Sequence, residues 1–153
     1  MPQSFTDIYN YRQAEPNLAT SGQPSESQLT AIAEAGYEVI INLALHNDPR
    51  YSLADEAASV KQLGLKYVHI PVEFSAPSDE TLNAFFVALS ESRKSKVWVH
   101  CAANKRVTAF FGLYLSLREG VSESEAFALL RDIWEPDAVW SQFIAKRLGK
   151  GDA

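Results

Sequence analysis

The chain has 153 residues, 46% of them hydrophobic, a size and composition that suit one domain around one core. Nineteen acidic against fourteen basic residues leave a net charge of -5, the wrong sign for a protein whose main partner is a nucleic-acid backbone. A single cysteine cannot close an internal disulfide, and the histidines at 46, 69 and 100 are too scattered for a structural zinc site, so no metal is expected and a reducing, cytoplasmic setting is.

The opening MPQSFTDIYNYRQ lacks a basic region followed by an apolar run, and no stretch approaches the roughly 20 apolar residues of a membrane span, so no membrane partner is expected. Residues 1–16 read as an N-terminal extension and 149–153 as a flexible tail of a single domain. In SGQPSESQLTAIAEAG, Ser25 and Gln28 have capping-box spacing, Leu29, Ile32 and Ala33 supply a helical stripe, and Gly36 ends it. The β-branched run 37–43 predicts a buried strand, broken by Asn47-Asp48-Pro49.

Residues 52–63 have a helical pattern closed by Gly64, and 65–70 form a second strand that Pro71 stops. Ser78 caps a helix whose apolar face is Leu82, Phe85, Phe86 and Leu89. Residues 97–99 are a third strand, and 107–117 are apolar nearly all round, which predicts a buried helix ended by Gly120. A capping box at Ser122 and Glu125 opens a C-terminal helix, a turn and a final helix containing Trp134, Trp140, Phe143 and Ile144, all expected in the core.

Strands alternating with helices predict an α/β fold: a mainly parallel central sheet of about four to five strands flanked by helices. Ligands of such folds gather at the carboxyl ends of strands, here the loops 44–51, 71–78 and 101–106. The last of these follows VWVHC. Cys101 stands where a buried strand gives way to a helix, so unpaired amides and the positive end of the helix dipole converge on the loop. That arrangement suits an anion and favours thiolate over thiol.

The stretch His100-Cys101-Ala102-Ala103-Asn104-Lys105-Arg106-Val107-Thr108 resembles the signature of the cysteine-dependent protein tyrosine and dual-specificity phosphatases: His-Cys, five residues, Arg, then Ser or Thr. The SGQPSESQL, VIINL and HIPV segments extend the resemblance to a bacterial dual-specificity-phosphatase-like group, over much of residues 17–145. It implies that Cys101 is a nucleophile forming a phosphocysteine, that His100 organises the loop, and that Thr108 supports it. It further implies that the backbone of Ala102, Ala103, Asn104, Lys105 and Arg106 holds the phosphate, with the Arg106 guanidinium beside it.

Two departures are visible. Only four residues separate Cys101 from Arg106, so either the loop is one residue shorter or the arginine has moved one place; Thr108, seven after the cysteine, argues for the second, and in that register Val107 occupies the arginine's usual position. Asn104 replaces the signature glycine, and asparagine is among the few residues that tolerate positive φ. The family's acid comes from the loop matching 71–78, where Glu73 is the first candidate and Asp79 the second. His46 is a candidate for the rim, and His69, placed mid-strand, reads as a satisfied core or sheet histidine.

The expected function is therefore hydrolysis of a phosphomonoester, without metal or organic cofactor, on a phosphorylated small molecule or phosphoprotein. The alternative is a catalytically weak phosphate-binding module recognising a phosphorylated ligand. A sulfur-transferring enzyme with a strand-end cysteine is a third reading, disfavoured by the His-Cys and Thr108 match. The oligomeric state is not legible.

Overall fold

The computed structural model describes residues 5–45 and 53–150. After a 3-10 turn at Phe5–Asp7 come β1 (Arg12–Glu15), β2 (Leu18–Ser21), α1 (Glu26–Glu34), β3 (Val39–Asn42), α2 (Glu56–Gln62) and β4 (Lys66–His69). There follow α3 (Asp79–Glu91), β5 (Val97–His100), α4 (Lys105–Arg118), α5 (Glu123–Ala126), α6 (Ala128–Ile133) and α7 (Ala138–Arg147). The sheet has five strands in the order β1-β2-β5-β3-β4, with only the β1–β2 pair antiparallel.

Both faces of the central strands are covered, and strand alternation divides their side chains between two cores. Leu18, Val39, Ile41, Val97 and Val99 face α3, α4 and the C-terminal helices, where Phe85, Phe110, Trp140 and Phe143 fill the larger core. Ala19, Ile40 and Trp98 face α1 and α2 with Leu29, Ile32 and Val60. Trp98 is packed by Phe5, Tyr11 and Tyr37, and its indole N–H donates to Ser21 Oγ at 2.8 Å.

Local chemistry accounts for the helix ends. The Ser25–Gln28 capping box is complete, and Ser78 Oγ accepts from the Thr81 amide at 3.2 Å. Ser122 Oγ accepts from the Glu125 amide at 3.3 Å. Gly36, which ends α1, has φ +94°, a conformation costly for any residue with a Cβ.

Several boundaries differ from the sequence expectation. Among the described residues, α2 begins at Glu56 rather than near residue 52, because Asp55 supplies the cap by accepting from the Ala58 amide. The final helical region is three helices, α5 to α7, with α5 and α6 parted at Phe127. Residues 12–15, within the expected N-terminal extension, form the edge strand β1, and Lys150 still donates its amide to Ala145 O at the end of α7. Helix α4 begins two residues earlier than the apolar pattern indicates, which places Lys105 and Arg106 in its first turn.

Candidate active site

The register brings the carboxyl ends of the strands into one row: Ser21 of β2 pairs with His100 of β5, His100 with Asn42 of β3, and Asn42 with His69 of β4. Cys101 is the next residue after that row, and it is fully buried. Alternation sends Cys101 into the larger core, whereas His100 faces the α1–α2 side.

The loop after Cys101 is held from outside. The Gln23 amide donates to Ala102 O at 3.1 Å, and Asn10 Nδ2 donates to Ala103 O at 3.1 Å. Cys101 O lies 3.4 Å from His100 Nδ1. In a planar trans peptide the carbonyl and the next N–H point in opposite directions. Fixing the Cys101 and Ala102 carbonyls therefore turns the Ala102 and Ala103 amides away from His100 and Gln23. Gly22 is required beside them: a Cβ there would meet Ala102 O at 2.6 Å.

Asn104 closes the loop with φ +66°, as expected of the residue that replaces glycine. Its side chain does not cap α4. Instead Nδ2 donates to Asn10 O and Thr20 Oγ1, both at 2.9 Å, while the buried Oδ1 has no partner. The amides of Lys105, Arg106 and Val107 lie in the first turn of α4, where no helical carbonyl stands one turn behind them.

Arg106 is buried and points neither to solvent nor into the core. Its Nη1 donates to Val72 O at 2.9 Å, and its guanidinium lies 5.9 Å from the Phe74 ring centre, so it bridges the cysteine loop and the 71–78 loop. Val107, at the arginine's usual signature position, is packed in the larger core. Glu73 follows the Val72 anchor directly and is exposed. Asp79 sits in the first turn of α3 and pairs with Arg147 of α7.

Thr108 is buried; its hydroxyl donates to Lys105 O at 2.8 Å and accepts from the Trp134 indole at 3.0 Å. The threonine therefore braces the first turn of α4. Trp134, expected only to fill the core, also faces Lys105, whose Nζ is 5.7 Å from its ring centre. Trp140 is fully buried and donates Nε1–H to Phe74 O at 2.8 Å, tying the 71–78 loop to α7. His69 is exposed at the end of β4, with Nε2 2.6 Å from Ala44 O. His46 lies outside the described residues.

One partner of the site had no sequence signal. Glu56, the first residue of α2, is fully buried, with Oε2 2.6 Å from His100 Nε2 and Oε1 accepting from Gln23 Nε2 at 2.8 Å. A glutamate in the first turn of a helix is ordinarily an exposed partner of the dipole. Its charge reaches Tyr67, whose phenol is pushed above the usual tyrosine value by burial first and by Glu56 second, against the Asn42 hydrogen bond.

A groove elsewhere, between α3 and α4, is lined by Phe86, Val87, Ser90, Glu91, Tyr114, Arg118 and Glu119, with Glu119 already paired to Arg93. The strand-end cysteine loop is the place where a nucleophile, amides and cations coincide. A family model described as DSP-PTPase phosphatase fused to NAD+ kinase matches residues 3–131. The chain belongs to this phosphatase family.

Solved structures extend the match in this DSP-PTPase-family chain beyond the sequence signature. A DUF442 protein of Shewanella putrefaciens is 29% identical, covering 97% of each chain with a TM-score of 0.83. Tk-PTP in its active form is 25% identical over 92% of this chain and 95% of its own, TM-score 0.72. The kinase associated phosphatase, at 15% identity over 87% and 86%, shares the fold with TM-score 0.74. No curated protein sequence matches the chain. Among the described residues no helix is long and apolar enough to cross a membrane.

Proposed function

We propose that this DSP-PTPase-family chain hydrolyses a phosphomonoester through a phosphocysteine on Cys101. The observation that carries the reading is the loop itself: a cysteine at a strand end, followed by outward-anchored carbonyls and the free amides of a 14-residue helix. The Cys101 thiolate attacks phosphorus, the bond to the leaving oxygen breaks, and that oxygen takes a proton from Glu73. Water then attacks the phosphocysteine, Glu73 accepts its proton, the P–S bond breaks, and phosphate leaves with the thiolate restored. Amides of residues 102–106 and the remaining Arg106 donors stabilise the transferring phosphoryl.

Arg106 supports the choice of Glu73 over Asp79, because its bond to Val72 O fixes the backbone adjoining Glu73, whereas Asp79 is engaged by Arg147. His100 and Thr108 shape the loop, and His46 is retained as a rim candidate only. The substrate class is a phosphorylated small molecule or phosphoprotein. Complete burial of Cys101 and the hold of Val72 O on Arg106 Nη1 favour, as the second reading, a phosphate-binding module of low turnover.

Glu73→Gln tests the acid. For aryl phosphates with good leaving groups the variant is expected to keep most of the wild-type kcat, and for poor leaving groups to lose about 10²- to 10⁴-fold. The measurement is kcat across a series of phosphate esters of graded leaving-group acidity. An equal loss along the whole series would remove Glu73 from the mechanism, and a wild-type protein inactive on every ester would leave the binding module.

A further inference from the structure

We propose that Glu56 is a positioning residue of the phosphate loop, acting on it through His100 and Gln23; the proposal rests on the loop being a phosphate site. Three separate parts of the chain meet at this carboxylate: the end of β5, the β2–α1 turn and the start of α2. Oε2 takes the His100 Nε2–H at 2.6 Å, and Oε1 takes the Gln23 side-chain N–H at 2.8 Å. A carboxylate and a carbonyl oxygen both only accept, so His100 meets Glu56 and Cys101 O with an N–H on each ring nitrogen, and its ring orientation is fixed.

Each arm continues to a carbonyl of the loop. The other edge of the His100 ring lies 3.4 Å from Cys101 O, and the Gln23 backbone N–H donates to Ala102 O at 3.1 Å. Those two carbonyls set the directions of the Ala102 and Ala103 amides, the first two after the cysteine. Glu56 thus lies at the junction of both supports, although it is too deeply placed to touch a ligand.

Burial makes the arrangement informative. Glu56 and His100 are both fully buried, and taking a carboxylate out of water costs several kcal/mol unless its partners are well placed. A well-packed apolar side chain at the start of α2 would avoid that cost. It could not, however, hold both the imidazole that faces Cys101 O and the side chain of Gln23, the residue whose backbone N–H meets Ala102 O. Gln23 Oε1 is also buried without a partner, so the Gln23 side chain is held by its donor end alone, at Glu56 and at Pro24 O.

The geometry suggests a specific variant. In Glu56→Gln the carboxamide keeps the volume, and one of its ends must turn a donor towards Gln23; the unpartnered Gln23 Oε1 can accept it after a flip of that amide. The fold is therefore expected to survive while the charge and the original hydrogen bonding are lost. Gln23→Ala is the companion variant: it removes one arm and leaves the backbone bond to Ala102 in place.

The test is inorganic phosphate titrated into the full chain and followed by amide NMR, together with kcat/KM for an aryl phosphate, well below each variant's unfolding temperature. Glu56→Gln is expected to weaken phosphate affinity and kcat/KM by about 10- to 100-fold, the range seen when carboxylates that orient histidines are removed. Gln23→Ala is expected to show a smaller loss. In a His100→Asn background, Glu56→Gln is expected to weaken phosphate binding by much less, because the main route of its action is already gone.

Wild-type phosphate affinity in a folded Glu56→Gln, or the same loss in the presence and absence of His100, overturns the proposal and leaves the phosphatase reading standing. If Glu56→Gln fails to fold, undiminished phosphate affinity in Gln23→Ala counts as the refutation. A wild-type protein whose residues 102–108 do not respond to phosphate overturns the reading of the loop and this proposal with it.

Discussion

Cys101→Ser is expected to bring phosphate release from an activated aryl ester down to the uncatalysed background, a loss on the order of 10⁴-fold or more, as when an enzyme's nucleophile is deleted. The reason is chemical. A serine hydroxyl in the same place is a far weaker nucleophile at neutral pH than a thiolate. The supports of the loop do not pass through Sγ: they are the Gln23 amide on Ala102 O, Asn10 on Ala103 O and Asn104 on Thr20. Phosphate binding should accordingly persist in the serine variant. Loss of both activities together would mean that the thiol is a structural element of the loop, and unaltered release would remove Cys101 from the chemistry.

The second large effect is on stability. Trp140 is fully buried between Phe74, Phe110, Trp134 and Phe143, with ring centres 5.7 to 6.1 Å away. Trp140→Ala is expected to cost about 3–5 kcal/mol, a large part of the roughly 5–15 kcal/mol that holds a typical domain together. For a chain of this size that lowers the unfolding midpoint by roughly 10 °C. Trp140→Phe keeps most of the packing but loses the donor to Phe74 O, so about 1–3 kcal/mol is expected from the carbonyl left unpaired. Calorimetry on the three proteins decides it. A loss under about 1 kcal/mol for Trp140→Ala would show that α7 is not packed as described.

The two variants probe different levels at which the sequence is informative. Strands β3, β4 and β5 and helices α1 and α3 are legible because each carries a local cause: a β-branched run, a capping side chain or a terminating glycine. Strands β1 and β2 are not. RQAE and LATS are short and rich in small or polar residues, and β2 is buried because β1 and β5 enclose it, which no local pattern records. The start of α4 was hidden for a related reason, since Lys105 and Arg106 interrupt the apolar pattern while Asn104 in the left-handed conformation lets the helix begin beneath them.

The same division runs through the candidate site. Cys101, His100, Asn104 and Arg106 are contiguous, and their spacing can be compared with a signature. Their supports come from far away in sequence: Asn10, Gln23, Glu56 and Trp134 reach the loop only once the sheet has formed. Glu56 is the clearest case, because the first turn of a helix gives a glutamate an ordinary place and only the meeting of α2 with the end of β5 makes it a buried partner of His100. The resemblance puts the Arg106 guanidinium beside the phosphate loop, and the fold gives it an anchor that spacing does not show, the carbonyl of Val72.

The most direct test of the account is to trap the intermediate. The wild-type protein is mixed with an activated aryl phosphate, quenched in acid within the first turnover, digested and examined by mass spectrometry. The account predicts a peptide containing Cys101 that carries one added phosphoryl group on sulfur, absent from Cys101→Ser treated in the same way. Burst release of the aryl alcohol without any phosphoryl group on that peptide, or with the group on another side chain, would contradict it.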